Sequence, residues 1–469
     1  MGLEDSAHPT AFLGNPAMSK RKLFTLIVAI ALVALATIRF GSFWPAPDAE
    51  SDDLDTSLRQ LQLATGTQAT EGGIEFFKER VARDPRDFIS LACLSELQVR
   101  RARETGDATH YQHAEASARQ ALALRERYAP AMVQLAAAHA AQHRFKDALE
   151  LARGAFAVDR LQSDALLIAG DCEMALGEYT LAERTLRDLQ QQSPGPAVTA
   201  RLAHLKELRG DYDEAIDMIH SAARAMLKRK SAAAEEVAWY QTLLGELYFE
   251  TGRLDPAARH FEAALKIFED YHVALAGLGK VRAAEGRLDD AIEFYRQAAA
   301  VSPQINTLAA LGDLHVKKGD VSAAQGYFNK VESLPEQPGA RPDLMRRDLA
   351  LFYADHDLNL GQALNLAEAD FAVRRDVFAH DARAWTLYKN SRLPEAAVAI
   401  EQALKLGSRH PILCYHAGMI YYESGDNDKA RSFLKRAIAM NPQFSILYAD
   451  EARRTLAKLG EKVDAATGS

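Results

Sequence analysis

From about residue 85 to residue 442, apolar positions return at i, i+3, i+4 and i+7 in short stretches, broken every dozen residues or so by glycine or a charged pair. That spacing puts one apolar stripe on each of a long series of short helices. Alternating runs rich in valine, isoleucine and threonine are nearly absent, so helix is predicted throughout and sheet almost nowhere. The stripes also repeat as a set. In "LLGELYFETGRLDPAARHFEAAL" the order is Leu244-Gly245, Tyr248, Gly252, Ala257, Phe261 and Ala264; thirty-four residues on stand Leu278-Gly279, Gly286, Ala291, Tyr295 and Ala298. Leu311-Gly312, Gly319, Ala324 and Phe328 follow, and near the C-terminus Gly418, Tyr421, Gly425, Ala430 and Leu434. Upstream the set is Gly170, Gly177, Ala182 and Leu186, then Ala203, Gly210, Ala215 and Ile219, with weaker copies around Ala92, Ala136, Ala350 and Ala384.

Each position has a packing reason. Gly245 on a first helix faces Ala257 and Phe261 on a second, and the missing side chain lets the two axes close to the lower end of the usual roughly 8–10 Å. Gly252 ends the first helix, where a left-handed residue is needed. Asp255 is expected to cap the second helix and Pro256 to occupy its first turn, with Thr180, Asp213, Asp289, Ser322 and Asp428 at the same offset. One such hairpin cannot bury both faces, so neighbours must stack into a solenoid. Three stretches exceed the repeat length: "RARETGDATHYQH" at 101–113, the region of "MLKRKSAAAEE" at 226–236, and the proline-rich "LPEQPGARP" at 334–342.

This series resembles the tetratricopeptide repeat, a helix-turn-helix unit of 34 residues. The resemblance implies an all-α, right-handed solenoid of about ten units, packed through Gly170, Ala182, Ala203, Ala215, Gly245, Ala257, Gly279, Ala291, Gly312, Ala324, Gly418 and Ala430. "DARAWTLYKNSRLPEA" and "HAGMIYYESGDNDKARSFLKRAIAMNP" are similar to exported or membrane-anchored bacterial members. The family places the first helix of each unit on a concave groove, which carries over to Asp171, Met174, His204, Glu207, Thr242, Glu246, Phe249, Glu250, Lys280, Asp313, Lys317, Tyr415, Met419 and Tyr422 as partner-facing candidates. Their mix of charge, aromatic rings and methionine suits an extended peptide or a partner helix. The family's carboxylate clamp uses basic and asparagine residues in consecutive units; Thr242 and Glu246 stand there instead.

The first 72 residues read differently. Lys20, Arg21 and Lys22 precede sixteen uncharged residues, Leu23 to Ile38, a run of roughly 24 Å as a helix against a hydrocarbon layer of about 30 Å. Phe40, Phe43 and Trp44 extend it into the interface, and the acidic "PDAESDDLD" follows. Basic before and acidic after keeps the N-terminus cytoplasmic and exports the rest. The organisation expected is a short cytoplasmic N-terminus (1–22), a transmembrane signal-anchor helix (23–44), an acidic flexible stalk (45–72), an N-terminal repeat block (73–333), the connector 334–342 where the chain can pivot, a C-terminal block with capping helix (343–459), and a disordered tail (460–469). Met18 as the start would instead give a signal peptide cleaved near Ala36 and a secreted or periplasmic protein.

Charge and chemistry narrow the function. With 56 Lys and Arg against 64 Asp and Glu, the 469-residue chain has a net charge of -8, which excludes the basic face nucleic acid requires. Cys93, Cys172 and Cys414 lie far apart in apolar stretches and form no disulfide framework. "GLGK" at 277–280 lacks the rest of a phosphate loop. His139 and His143 share a helix spacing that zinc ligands use, as His110 and His113 nearly do, without further ligands. No catalytic or cofactor site is expected. The readings left are a non-catalytic, membrane-anchored scaffold that binds protein or peptide, a metal-binding or enzymatic repeat protein, and a regulatory adaptor facing the cytoplasm.

Overall fold

A computed structural model describes residues 67–229 and 232–461. Twenty-two α-helices and no strand make up these residues. Helix α1 (Thr67–Arg83) leads into ten hairpins: α2 (Phe88–Thr105) with α3 (Thr109–Leu124), α4 (Ala129–Ala141) with α5 (Phe145–Val158), α6 (Ser163–Ala175) with α7 (Tyr179–Gln192), and α8 (Pro196–Leu208) with α9 (Tyr212–Leu227). Next come α10 (Ala234–Glu250) with α11 (Leu254–Ile267), α12 (His272–Ala284) with α13 (Leu288–Val301), and α14 (Ile305–Lys317) with α15 (Val321–Ser333). The last three are α16 (Arg346–Asp355) with α17 (Leu360–Phe371), α18 (Val377–Lys389) with α19 (Leu393–Ala403), and α20 (Pro411–Glu423) with α21 (Asn427–Met440), before a closing helix α22 (Ala449–Lys458).

The small residues on the first helices do what their spacing implies. A methyl group at Gly245 would lie 2.6 Å from the Phe261 ring, one at Gly279 2.8 Å from Tyr295, and one at Gly418 2.6 Å from Leu434. Gly170 stands in the same way against Leu186, and Gly312 against Phe328. Phe261 is fully buried because Gly277 of the next unit covers its other face. Opposite, Ala182, Ala215, Ala257, Ala291, Ala324 and Ala430 are almost completely buried, as is Ala203 on a first helix. Gly277, Gly279 and Lys280 of "GLGK" all lie within α12.

Several expectations need correction. Asp255 does not cap: α11 starts at Leu254, two residues earlier than a cap at Asp255 requires, its N-cap is Arg253, and Asp255 and Pro256 sit inside the first turn. Thr180, Asp213, Asp289, Ser322 and Asp428 are likewise inside their helices. A carboxylate there meets the positive end of the helix dipole. The side chains that do cap lie elsewhere: Asp320 and Asp426, two residues upstream of Ser322 and Asp428, and Asp87 and Asp376 at other helix starts. Helix α1 begins at Thr67, inside the segment read as a stalk, since Ile74 is buried and Thr70 bonds buried Glu104 of α2. The stretch from Phe444 starts as a turn with Phe444 and Tyr448 buried, and helix resumes only at Ala449. Glu461 pairs with Lys435 at 2.7 Å, so the first residues after 459 belong to the fold. No helix of the described residues is long and apolar enough to cross a membrane, and the expected span 23–44 lies outside them.

The core does not stop at 334–342. Leu334 opens a 3-10 turn and is buried in one apolar cluster with Ile305, Leu311 and Val331 before it and Leu349, Phe352 and Trp385 after it. The connector is also tied to a distant part of the chain. Arg341 Nη1 donates to Gln142 Oε1 at 2.7 Å, and Gly339 packs on Thr109. This is one point on a seam where residues 192 to 200 positions apart meet. Arg375 N donates to Ala175 O at 2.8 Å, Val377 N to Tyr179 Oη at 2.8 Å, and Asn441 Nδ2 to Phe249 O at 2.7 Å. The three long stretches gather on this side as well: Arg103 Nε reaches Glu235 Oε2 at 3.3 Å, and Gly106 abuts Ser302 and His272. The segment read as a pivot packs against an earlier turn of the solenoid through Arg341 and Gly339.

The seam separates glycines that look equivalent in sequence. Gly177 (φ 78°) and Gly286 (φ 77°) both end a first helix left-handed. A methyl group at Gly177 would lie 2.5 Å from Arg375 O, whereas one at Gly286 would meet nothing within 4 Å. Gly286→Ala should therefore lose only the conformational term, about 1–2 kcal/mol. Gly177→Ala should lose about 1–3 kcal/mol more through forced displacement of the neighbouring backbone. Paired thermal and urea melts of the two variants check this; equal losses would contradict the seam.

Candidate functional site

The inner face is built by first helices, several of which are joined to the next by a polar side chain. Arg201 of α8 grips Asp171 of α6 through Nε and Nη2 at 2.7–3.0 Å. Lys280 Nζ of α12 donates to Glu246 of α10 at 2.6 Å and lies 5.3 Å from the Phe249 ring centre. His356 Nε2, at the C-cap of α16, meets Asp313 of α14 at 2.7 Å, and Trp385 Nε1 of α18 donates to Asp355 of α16 at 2.8 Å. His416 Nδ1 of α20 contacts Asp381 of α18 at 2.9 Å, and Tyr415 Oη donates to Glu451 of α22 at 2.7 Å. Each pair joins neighbouring units, so register between units is set by polar groups as well as by packing.

Two cavities open on this face. The first, about 420 Å³, lies among α6, α8, α9 and α10 and is lined by Asp171, Met174, Arg201, His204, Glu207, Trp239, Leu243, Glu246 and Glu250 with smaller apolar groups. The second, about 530 Å³, lies among α14, α16, α18 and α20 and the 445–448 turn, and includes Asp313, Phe352, Asp355, His356, Phe378, Asp381, His410, His416 and Tyr448. They adjoin where Glu250 of the first meets His410 Nε2 of the second at 3.3 Å.

Six of the fourteen groove candidates, Asp171, Met174, His204, Glu207, Glu246 and Glu250, share the first cavity; Asp313 lines the second, and Lys280 stands beside Glu246. The others lie elsewhere. Thr242 is 2 % exposed and donates to Trp239 O, Phe249 is buried beneath Lys280, and Tyr415 and Met419 are buried in the C-terminal core. Tyr422 packs half-buried on the α18–α21 core, and Lys317 is exposed and lines neither cavity. A repeat position alone misassigns these because the facing unit differs in bulk from one hairpin to the next. Arg201, Trp239 and Leu243 are lining residues not among the candidates, although the sequence carried a signal for them. Trp239 and Leu243 precede Glu246 by seven and three residues, and Arg201 precedes His204 by three, so each lies on a stripe already identified. Nothing comparable marks His410 or Tyr448, which reach the cavity from turn segments.

Burial and neighbouring charge pull the histidines in opposite directions. Burial alone would lower His204 and His410, but the carboxylates of Glu207 and Glu250 outweigh it and raise both. Burial is likewise overcome at His356, raised by Asp313, while Asp313 itself is raised by burial against the pull of His356. Away from this face His143 is pushed down to about 3 by burial and nearby arginines, and stacks on Phe145. His139 approaches Glu115 at 3.6 Å. Among the described residues no three His, Cys, Asp or Glu side chains are grouped to hold a metal ion. Cys172 and Cys414 are buried free thiols pushed up to about 12 by burial.

Family models for the tetratricopeptide repeat match residues 133–196, 195–270, 242–304 and 382–443, and the chain is a tetratricopeptide repeat protein. Cellulose synthase operon protein C of Komagataeibacter xylinus is 25% identical over 311 residues, 64% of this chain and 22% of that protein. Cellulose synthase 1 operon protein C of the same organism is 26% identical over 289 residues, 60% of this chain and 21% of that protein. The chain thus spans about a fifth of the length of these relatives. Among solved structures, yeast Tom70 matches at 14% identity with a TM-score of 0.35, over 87% of this chain and 95% of that one.

The Glu250–His410 pair gives a test of the electrostatics. A histidine raised on folding contributes stability that is complete below its unfolded value near 6.5 and is lost as pH rises through the folded value. His410→Gln should therefore lower the urea midpoint more at pH 6 than at pH 8.5. By NMR, the His410 ring should titrate above 6.5 in the native chain and fall in Glu250→Gln; a ring that titrates below 6.5 in the native chain would contradict the assignment.

Proposed function

We propose that this chain is a non-catalytic scaffold which holds a segment of a partner protein against the two adjoining inner cavities. The observation that carries the reading is their composition: apolar floors such as Trp239, Leu243 and Met174, bordered by charged groups from several consecutive units. A concave, largely apolar recess with converging polar groups is the usual form of a binding site. Most of its carboxylates and histidines are engaged with other side chains of the protein, which favours binding over turnover. The run Leu23–Ile38 with its basic flank supports an anchor in the membrane and repeats on the extracytoplasmic side. The relatives named for a cellulose synthase operon favour a partner within a polysaccharide-synthesising apparatus.

A photo-crosslinking residue at Leu243 of the full chain, in its own host membrane, should yield a discrete protein adduct. The same residue at Leu161, 85 % exposed on the outside of a turn, should not. No adduct from Leu243, or the same set from both sites, would overturn the reading. A reporter that functions only outside the cytoplasm, fused after Ser469, should be active.

A further inference from the structure

The inner face holds more acid than base. Each cavity is lined by four carboxylates and one arginine, Arg201 in the first and Arg347 in the second. Arg201 is taken up by Asp171, and Lys280 by Glu246. Four of the remaining carboxylates face histidines: Glu207 with His204 at 2.9 Å, Glu250 with His410 at 3.3 Å, Asp313 with His356 at 2.7 Å and Asp381 with His416 at 2.9 Å. Asp355 accepts only from neutral donors in hydrogen-bond reach, Trp385 Nε1 and Tyr448 Oη. Whenever the histidines are neutral, this recess carries uncompensated negative charge, and low-dielectric walls strengthen its attraction for a cation. His416, 2 % exposed, uses only Nδ1; its buried Nε2 has no hydrogen-bond partner and the residue forms part of the second cavity wall. The chain itself displays how a cation is held here, with the Lys280 ammonium on Glu246 and over the Phe249 ring.

We propose that the two cavities receive an amphipathic segment of a partner protein that carries lysine or arginine, its cations on the histidine-paired carboxylates and its apolar face on Trp239, Leu243 and Phe352. This rests on the reading of the inner face as the partner site and adds the chemical class of the occupant. Protons and partner then compete for the same carboxylates. His204 is faced by Glu207 of its own helix, Asp171 of α6 and Glu250 of α10. His410 is faced by Glu250, Glu207 of α8 and Asp381 of α18, and His356 by Asp313 and Asp355. These three histidines are held above their ordinary range by those acids, so an arriving cation releases protons. Affinity therefore rises as pH increases through the raised values, opposite to what protonated histidines gripping an acidic ligand would give.

The test uses the full chain and two labelled sixteen-residue helical peptides, one of lysine and leucine and one of glutamate and leucine in the same pattern. The lysine peptide should bind at least tenfold tighter, gain several-fold between pH 6 and pH 8.5, and release protons in calorimetry across buffers of different ionisation heat. Glu207→Gln with Glu250→Gln should remove most of that affinity, while Asp213→Asn with Asp428→Asn, two exposed acids outside the cavities, should leave it. Equal binding of both peptides, tighter binding at pH 6, or no response to the Glu207 and Glu250 changes would overturn the proposal. If Leu243 crosslinks a partner while the lysine peptide fails, the occupant class is wrong and the partner site stands; if both fail, both readings fall.

Discussion

Everything in this fold depends on a missing side chain. A bulky residue of a second helix, Phe261, Tyr295, Phe328, Leu186 or Leu434, fills the space left by a glycine on the first helix of its unit. A methyl group in that space would force the two axes apart. Because Phe261 also lies under Gly277 of the following unit, the same contact that closes a hairpin seats it on its neighbour. Where alanine replaces glycine, as at Ala203, the facing residue is the slimmer Ile219 and both stay buried. The array is stable as a sum of such local contacts. That leaves the inner face free to vary, and its side chains carry the polar links and the cavities.

The second constraint is long-range. Turns of the solenoid meet along a seam of main-chain and side-chain hydrogen bonds, and the stretches that break the repeat length lie on it. Arg341 on Gln142 and Arg103 on Glu235 show why the excess residues are there: they bridge between turns. Through Glu250 and His410 the seam also reaches the inner face, so the two cavities meet only because distant units are brought together.

Much of this was legible in the sequence, for a physical reason. The fold follows from a periodic demand on residue size, and Gly245, Ala257 and Phe261 state that demand repeatedly. The site was legible only where the demand coincides with exposure. Glu246 and Glu250 line a cavity, but Thr242 and Phe249 on the same helix are buried, because α10 is contacted on more than one side. The capping residues were placed two positions late, since Asp255 resembles a cap when the helix start is judged from Pro256 alone. The seam was invisible: no local pattern tells Gly177, pressed on Arg375 O, from Gly286, which faces open space.

Turns of the solenoid close on one another and so bound a common inner face. The amides of Arg375 and Val377 report on it directly, because their acceptors, Ala175 O and Tyr179 Oη, belong to another turn. Amide hydrogen exchange resolved at these two positions should show protection comparable to the core helices, far above that of other helix starts. Exchange at the rate of an unprotected turn would contradict this closure and leave an open solenoid with two separate grooves.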